Sequence, residues 1–98
     1  PVLIVLAHKP MLANNFSDTA CAMENMMLAC NELDLGSCWV NQLRHLQDNE
    51  RIIKRLRELG MGDDEKVYAS LAIGYPDLPN GLNRRELDIK GNPVTYID

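Results

Sequence analysis

The residues able to do chemistry are scattered along this 98-residue chain and form no catalytic signature. No glycine-rich phosphate loop of the GxGxxG or GxxxxGK[ST] type occurs, and neither does an HExxH zinc pattern or a GxSxG nucleophile elbow. His45 has no Ser or Cys nucleophile beside it, and His8 ends an apolar run, where a bond to backbone or solvent is commoner than a ligand contact. If the protein is an enzyme, a cofactor must therefore supply the chemistry.

The amino-acid composition limits the kinds of site and partner that the protein can have. The three cysteines, Cys21, Cys30 and Cys38, show no CxxC spacing, which favours reduced thiols of a cytoplasmic protein over a disulfide or a metal site. A net charge of −4 gives no electrostatic case for binding nucleic acid or an anionic membrane. The apolar run at residues 2–7 is too short to span a bilayer. We therefore expect neither nucleic acid nor membrane as a partner.

The element that must position any site is a long helix in the stretch of residues 17–42. At 3.6 residues per turn, one face of this helix is purely apolar: Ala22, Met26, Ala29, Cys30 and Leu33. The opposite face mixes polar residues with further apolar ones: Cys21, Met27 and Leu28. We therefore expect the helix to contact protein on two sides, one of them beyond this chain. Ser17 or Asp18 is expected to cap its start and Gly36 to end it.

The remaining elements follow from periodicity and turn residues. Residues 1–8 predict a strand covered on both faces, residues 66–74 an interior strand, and residues 94–98 a final short strand. Residues 41–47 are interpreted as a polar connection. A second helix is expected to be capped by Asp48 and to stop at Gly60. The alternation of strands and helices by itself suggests a doubly wound parallel sheet.

Two segments, ENMMLACNELDLGSCW and DDEKVYASLAIGYPD, resemble the central helix and the last core strand of the FMN-dependent nitroreductase family. The ending GNPVTYID is similar to one bacterial branch of that family. The resemblance implies an α+β fold, with residues 1–98 as the C-terminal half of a mixed-sheet sandwich built around a buried helix. The family's N-terminal phosphate-binding portion has no counterpart among these residues.

The resemblance also implies cofactor-binding residues. The strand after the central helix would follow the FMN edge, which assigns that edge to Trp39, Val40, Asn41 and Gln42. A backbone N–H at Asn41 or an immediate neighbour would donate to the flavin N5 atom. Arg84 and Arg85 are the candidates for the flavin phosphate, because a guanidinium grips phosphate through two hydrogen bonds.

The implied activity is electron transfer from NADH or NADPH through FMN to a nitro compound, a quinone or a similar acceptor. The implied assembly is a homodimer with the flavins at the subunit interface. A second hypothesis is a non-enzymatic remnant or interaction module that keeps the dimerising helix and binds no cofactor.

Overall fold

Three antiparallel strands and three helices make up the part of the chain that the computed structural model describes, namely residues 1–10, 13–78, 88 and 90–97. In chain order they are β1 (Val2–His8), α1 (Asn15–Glu32), β2 (Gly36–Val40), α2 (Gln42–Leu46), α3 (Glu50–Glu58) and β3 (Lys66–Gly74). The strand order in the sheet is β1-β3-β2. Both pairings are antiparallel, so the parallel sheet suggested by the order of elements is wrong and the α+β class is confirmed. These described strands contain no parallel pair of the kind that a mixed sheet requires.

The central strand is β3, as its two apolar faces predicted. Its residues from Val67 to Leu71 are all buried. The edge strand β1 is less covered than expected, because Val2 and Leu3 are 60% and 52% exposed and only residues 4–7 are half-buried. The prediction that β1 is covered on both faces is therefore wrong for the described residues. A strand at the edge of this sheet leaves its first residues beyond the reach of the helices.

A register shift in the β1–β3 pairing changes the position of Tyr68 relative to its neighbours in the strand. Leu6 pairs with Ala69 and the next residue, Ala7, pairs with Val67, so Tyr68 is left between two paired positions as in a β-bulge. Tyr68 reaches α1, where its hydroxyl accepts a hydrogen bond from the side chain of Asn15. The regular pairing of β1 with the predicted interior strand is therefore interrupted at this point.

The core lies between α1 and the sheet. Met23, Ala69 and Leu71 form its fully buried centre, and partly buried neighbours pack around them: Ile4, Leu6, Met26, Met27 and Ile73. The expected burial of α1 is correct on one side only. Of the predicted face, Cys30 is buried and Met26 half-buried, whereas Ala22, Ala29 and Leu33 are exposed.

Two polar residues explain why the buried side of α1 differs from the apolar face. Asn15 and Thr19 continue the line of Met23 and Cys30 towards the start of the helix, and both are buried. The Asn15 amide donates to the Lys9 carbonyl at 2.8 Å and to the Tyr68 hydroxyl at 3.1 Å. The Thr19 hydroxyl donates to the Asn15 carbonyl. These bonds offset the cost of burying polar groups, so a partly polar line faces the sheet.

The ends of the helices correct several expected caps. α1 begins at Asn15, two residues before the predicted Ser17 cap, and its N-cap residue Asn14 makes no side-chain capping bond. It ends with Asp34 in the left-handed region at a φ of 57°, and the Leu35 N–H donates to the Cys30 carbonyl at 2.8 Å. Gly36, expected to end the helix, is instead the first residue of β2.

The end of α3 follows the sequence prediction. Gly60 has a φ of 111°, which glycine adopts without strain. Its N–H donates to the Arg57 carbonyl, while the Met61 N–H donates to the Leu56 carbonyl, a pair of bonds that defines a Schellman motif. The predicted final strand is absent from residues 94–97, which are exposed and outside regular secondary structure.

The cap at the start of α3 gives a direct test of the local structure. The Asn49 Oδ1 atom accepts a hydrogen bond from the Arg51 backbone N–H at 3.0 Å, so Asn49 and not the predicted Asp48 is the cap. We expect Asn49→Ala to lower the free energy of unfolding by about 1 kcal/mol. Asp48→Ala should change it by less than about 0.5 kcal/mol. Urea unfolding followed by circular dichroism measures both, and equal effects would show that the cap is misassigned.

Candidate functional site

Four of the six sequence-predicted site residues lie together at the junction where β2 passes into α2. Trp39 and Val40 are the last residues of β2, Asn41 is the N-cap residue of α2, and Gln42 is its first residue. Val40 is half-buried, while the other three are exposed. Arg84 and Arg85 lie outside the described residues.

The Trp39 and Asn41 side chains are joined across the junction. The Trp39 Nε1–H donates to Asn41 Oδ1 at 2.9 Å. An indole nitrogen can only donate, so the amide of Asn41 must present its oxygen to the ring. An asparagine at an N-cap position usually accepts from the first turn of its own helix, but Asn41 makes no such bond. Its side chain therefore holds the tryptophan and does not cap α2.

A buried serine fixes the residue between them. The Ser70 hydroxyl donates to the Val40 carbonyl, and Ser70 is fully buried in the central strand opposite Val40. The junction thus has one bond to its backbone, at Val40, and one bond between the side chains of the residues on either side of it. Sequence reasoning did not identify Ser70, because it is 30 positions from Val40 and nothing in the pattern of β3 distinguishes it.

α2 itself was predicted as a polar connection, and that prediction is wrong. This short helix is held by side chains at its end and at its middle. Gln47 pairs with the backbone of β3, accepting from the Val67 N–H at 2.8 Å and donating to the Val67 carbonyl at 3.0 Å. The Arg44 guanidinium lies 4.4 Å from the centre of the Phe16 ring. Tertiary contacts therefore position the element that follows the junction.

The Phe16 contact extends to the central strand. Its ring meets Tyr68 edge-on, with centroids 5.0 Å apart and an interplanar angle of 83°. Phe16 lies inside α1 and remains 52% exposed, and its contact with Arg44 connects α1 with α2. The junction is thereby linked to both the helix and the sheet.

Cys38 directly precedes the junction, and its Sγ atom lies 3.7 Å from the Trp39 carbonyl oxygen. His8 Nδ1 is 2.7 Å from the Lys9 carbonyl, in line with the predicted bond to the backbone. All three cysteines are free thiols; Cys30 is buried, whereas Cys21 and Cys38 are exposed. Over the described part of the chain, no cluster of three or more His, Cys, Asp or Glu residues could hold a metal ion. No described helix is long and apolar enough to cross a membrane.

Comparison with known proteins identifies the fold in which this junction lies. The model of the nitroreductase family matches residues 1–75. The chain belongs to the nitroreductase family. The whole of it superposes on the crystal structure of a nitroreductase with bound FMN from Bacteroides fragilis NCTC 9343, with a TM-score of 0.84 and 34% sequence identity. A search of curated proteins gave no match.

This nitroreductase-family chain spans about half of that relative, since the alignment covers 100% of the chain and 51% of the Bacteroides protein. The family and the α+β class are therefore confirmed, including the resemblance carried by the central helix and by β3. The match covers the elements on both sides of the junction and, within residues 1–75, the junction itself. The roles of individual residues towards a flavin remain predictions.

Proposed function

We propose that this chain is the C-terminal half of an FMN-dependent oxidoreductase and lines one edge of the flavin with the β2–α2 junction. The observation that carries the proposal is the superposition of the entire chain on an FMN-bound nitroreductase at a TM-score of 0.84. In the complete fold, the described antiparallel sheet would be part of a mixed-sheet sandwich. Bound FMN would pass electrons from NADH or NADPH to a nitro compound, a quinone or a similar acceptor.

The residues at the junction fit a flavin edge. Trp39, Asn41 and Gln42 are exposed, so a planar ring system can approach them without displacing core side chains. The backbone at Asn41 and Gln42 offers N–H donors at the start of a helix, and a preorganised donor stabilises charge that develops on an acceptor atom. The carbonyl of Val40 is bonded to the buried Ser70 hydroxyl, which helps to fix this stretch of backbone.

The experiment that tests the function is cofactor analysis of the purified full-length protein. We expect it to carry flavin absorbance, to release FMN on denaturation, and to be reduced by NADH or NADPH under anaerobic conditions. A folded, colourless protein that does not take up added FMN would contradict the proposal. That outcome would instead support the second hypothesis, an interaction module that retains the family fold without the cofactor.

The proposed assembly is a homodimer through the outer side of α1. Exposed apolar residues flank the outer side from both faces: Ala22, Ala29 and the C-cap residue Leu33 (69%) belong to the predicted apolar face, and Leu28 (58%) belongs to the opposite face. An isolated chain would leave this apolar surface in water, and such surfaces mark interfaces. The three free thiols support the cytoplasmic location that accompanies this proposal, because cytosolic thiols are kept reduced.

A charge placed on the outer side of α1 tests the assembly. We expect the parent protein to self-associate and Leu28→Glu to weaken that association about tenfold or more, because burying an unpaired carboxylate is costly. Leu59→Glu is the matched control, since Leu59 is 68% exposed at the C-cap of α3, and it should leave association unchanged. Sedimentation equilibrium over a range of concentrations measures both. A parent that stays monomeric throughout, with α1 folded, would contradict the homodimer.

A further inference from the structure

We propose that the Asn41 side chain is a positioning residue, which acts through Trp39 to hold the β2–α2 junction in the conformation that presents its backbone N–H to the flavin. This inference rests on the proposed function and adds to it a role for a side chain that the resemblance did not supply. The resemblance assigns only backbone at this position, so the side chain of Asn41 would be dispensable. The structure gives that side chain a specific partner.

The Asn41 amide directs its oxygen towards the Trp39 indole and not towards its own helix. The N-cap position of α2 offers it backbone N–H groups of its own helix, yet its oxygen accepts from the Trp39 indole at 2.9 Å. An asparagine that only started the helix would make the capping bond. The Asn41 amide oxygen therefore holds the Trp39 indole in place and does not cap α2.

Trp39 is in turn attached to the central strand of the sheet. Trp39 pairs in register with Leu71 of the central strand, and Leu71 is completely buried in the core. Residues that pair across antiparallel strands project to the same face of the sheet, so Trp39 lies on the side of the sheet that α1 covers. The bond from Trp39 to Asn41 thus ties the start of α2 to a strand position that cannot move independently of the core.

Val40, the residue between Trp39 and Asn41, is held by a bond of its own. Between Trp39 and Asn41, the Val40 carbonyl accepts from the buried hydroxyl of Ser70. Ser70 holds the backbone at Val40, and the Trp39–Asn41 bond joins the side chains of the residues before and after Val40. Loss of this bond would keep the Val40 carbonyl on Ser70 but would remove the link between Trp39 and Asn41, so the backbone N–H at residue 41 could vary in direction.

The experiment has a readout that needs no flavin. Trp39 is the only tryptophan among these 98 residues, and in a nitrogen–proton correlation spectrum its indole N–H resonance is assigned by its loss in Trp39→Phe. In the full-length protein without FMN, Asn41→Ala should shift that resonance and speed its exchange with solvent. Asn41→Asp, which keeps an acceptor oxygen, should preserve the slow exchange. Asn49→Ala is the matched control, because it removes the N-cap asparagine side chain of the next helix, which bonds to Arg51 and not to Trp39, and it should leave the resonance unchanged.

The second readout is made on the same variants after FMN loading. We expect Asn41→Ala and Trp39→Phe each to slow flavin reduction by about three- to tenfold, the effect of one neutral hydrogen bond, with FMN affinity nearly unchanged. The double variant should be no slower than either single one, because both remove the same bond. Asn41→Asp should recover most of the rate.

The outcomes separate this inference from the proposed function. An indole resonance in Asn41→Ala that matches the parent in shift and exchange would overturn the bond itself. A changed resonance with an unchanged rate of flavin reduction would overturn the positioning role alone. A parent that shows the indole bond but binds no FMN would overturn the proposed function and the positioning role with it.

Discussion

Leu71→Ala is expected to lower the free energy of unfolding by about 2–5 kcal/mol, because it removes a fully buried side chain and leaves a cavity that its neighbours fill only in part. Leu71 lies in the middle of the central strand, with Ile4 and Trp39 as its register partners and Met23 in the same cluster. Small domains are stable by only about 5–15 kcal/mol in total. One substitution would therefore remove a large part of the stability. Urea unfolding at fixed protein concentration measures the change.

Leu59→Ala provides the matched control, since it makes the same chemical change at a position that is 68% exposed. Its effect should stay within about 0.5 kcal/mol. If the two variants unfold at the same urea concentration, the core does not lie where the structure places it. Because Leu71 is opposite Trp39, the cavity should also alter the indole resonance, while Leu59→Ala should not.

The parts of the fold that the sequence predicted are those with a strong local signal. A nine-residue run that is apolar on both faces indicated the interior strand β3, and Gly60 indicated the end of α3. The cap of α3 was misplaced by one residue, since Asp48 and Asn49 are both good capping residues and only their backbone conformation distinguishes them. Local chemistry thus located the elements more reliably than their first residues.

Features that depend on distant contacts could not be predicted. The start of α1 is held by the bond between Asn15 and Tyr68, which are 53 positions apart, so its buried polar line is invisible to an apolar periodicity. α2 has five residues, too few for a helical period to be recognised, and it is held by the Gln47 pairing with Val67. The edge position of β1 follows from the strand order, which local patterns do not encode.

The candidate site was predictable in part for the same reason. Trp39, Val40, Asn41 and Gln42 are consecutive, so a resemblance in the preceding helix and turn located all four at once. The resemblance could indicate only the backbone features that members of the family share. The bond from Trp39 to Asn41 and the bond from Ser70 to Val40 depend on this chain's own side chains and appear only in the structure.

The prediction with the largest expected effect on activity is Asn41→Pro in the full-length protein. Proline removes the backbone N–H, and the loss of one preorganised donor costs about 10²–10³ in rate where charge develops. Unlike most proline substitutions, this one suits the backbone. Asn41 has a φ of −87°, close to the value that proline imposes, and the preceding residue Val40 is in the extended conformation that proline requires. Stopped-flow measurement of flavin reduction by NADH and NADPH gives the rate.

The matched comparison is Asn41→Ala, which loses the same amide side chain but keeps the N–H. Proline should therefore be slower than alanine by about 10- to 100-fold or more, since alanine alone removes only the bond to Trp39. Gln42→Pro extends the test, because position 42 is the first residue of α2, where proline is readily accepted. A slow Gln42→Pro with a fast Asn41→Pro would move the donor to Gln42. If both proline variants fold, bind FMN and are reduced as fast as Asn41→Ala, the flavin edge does not lie at this junction.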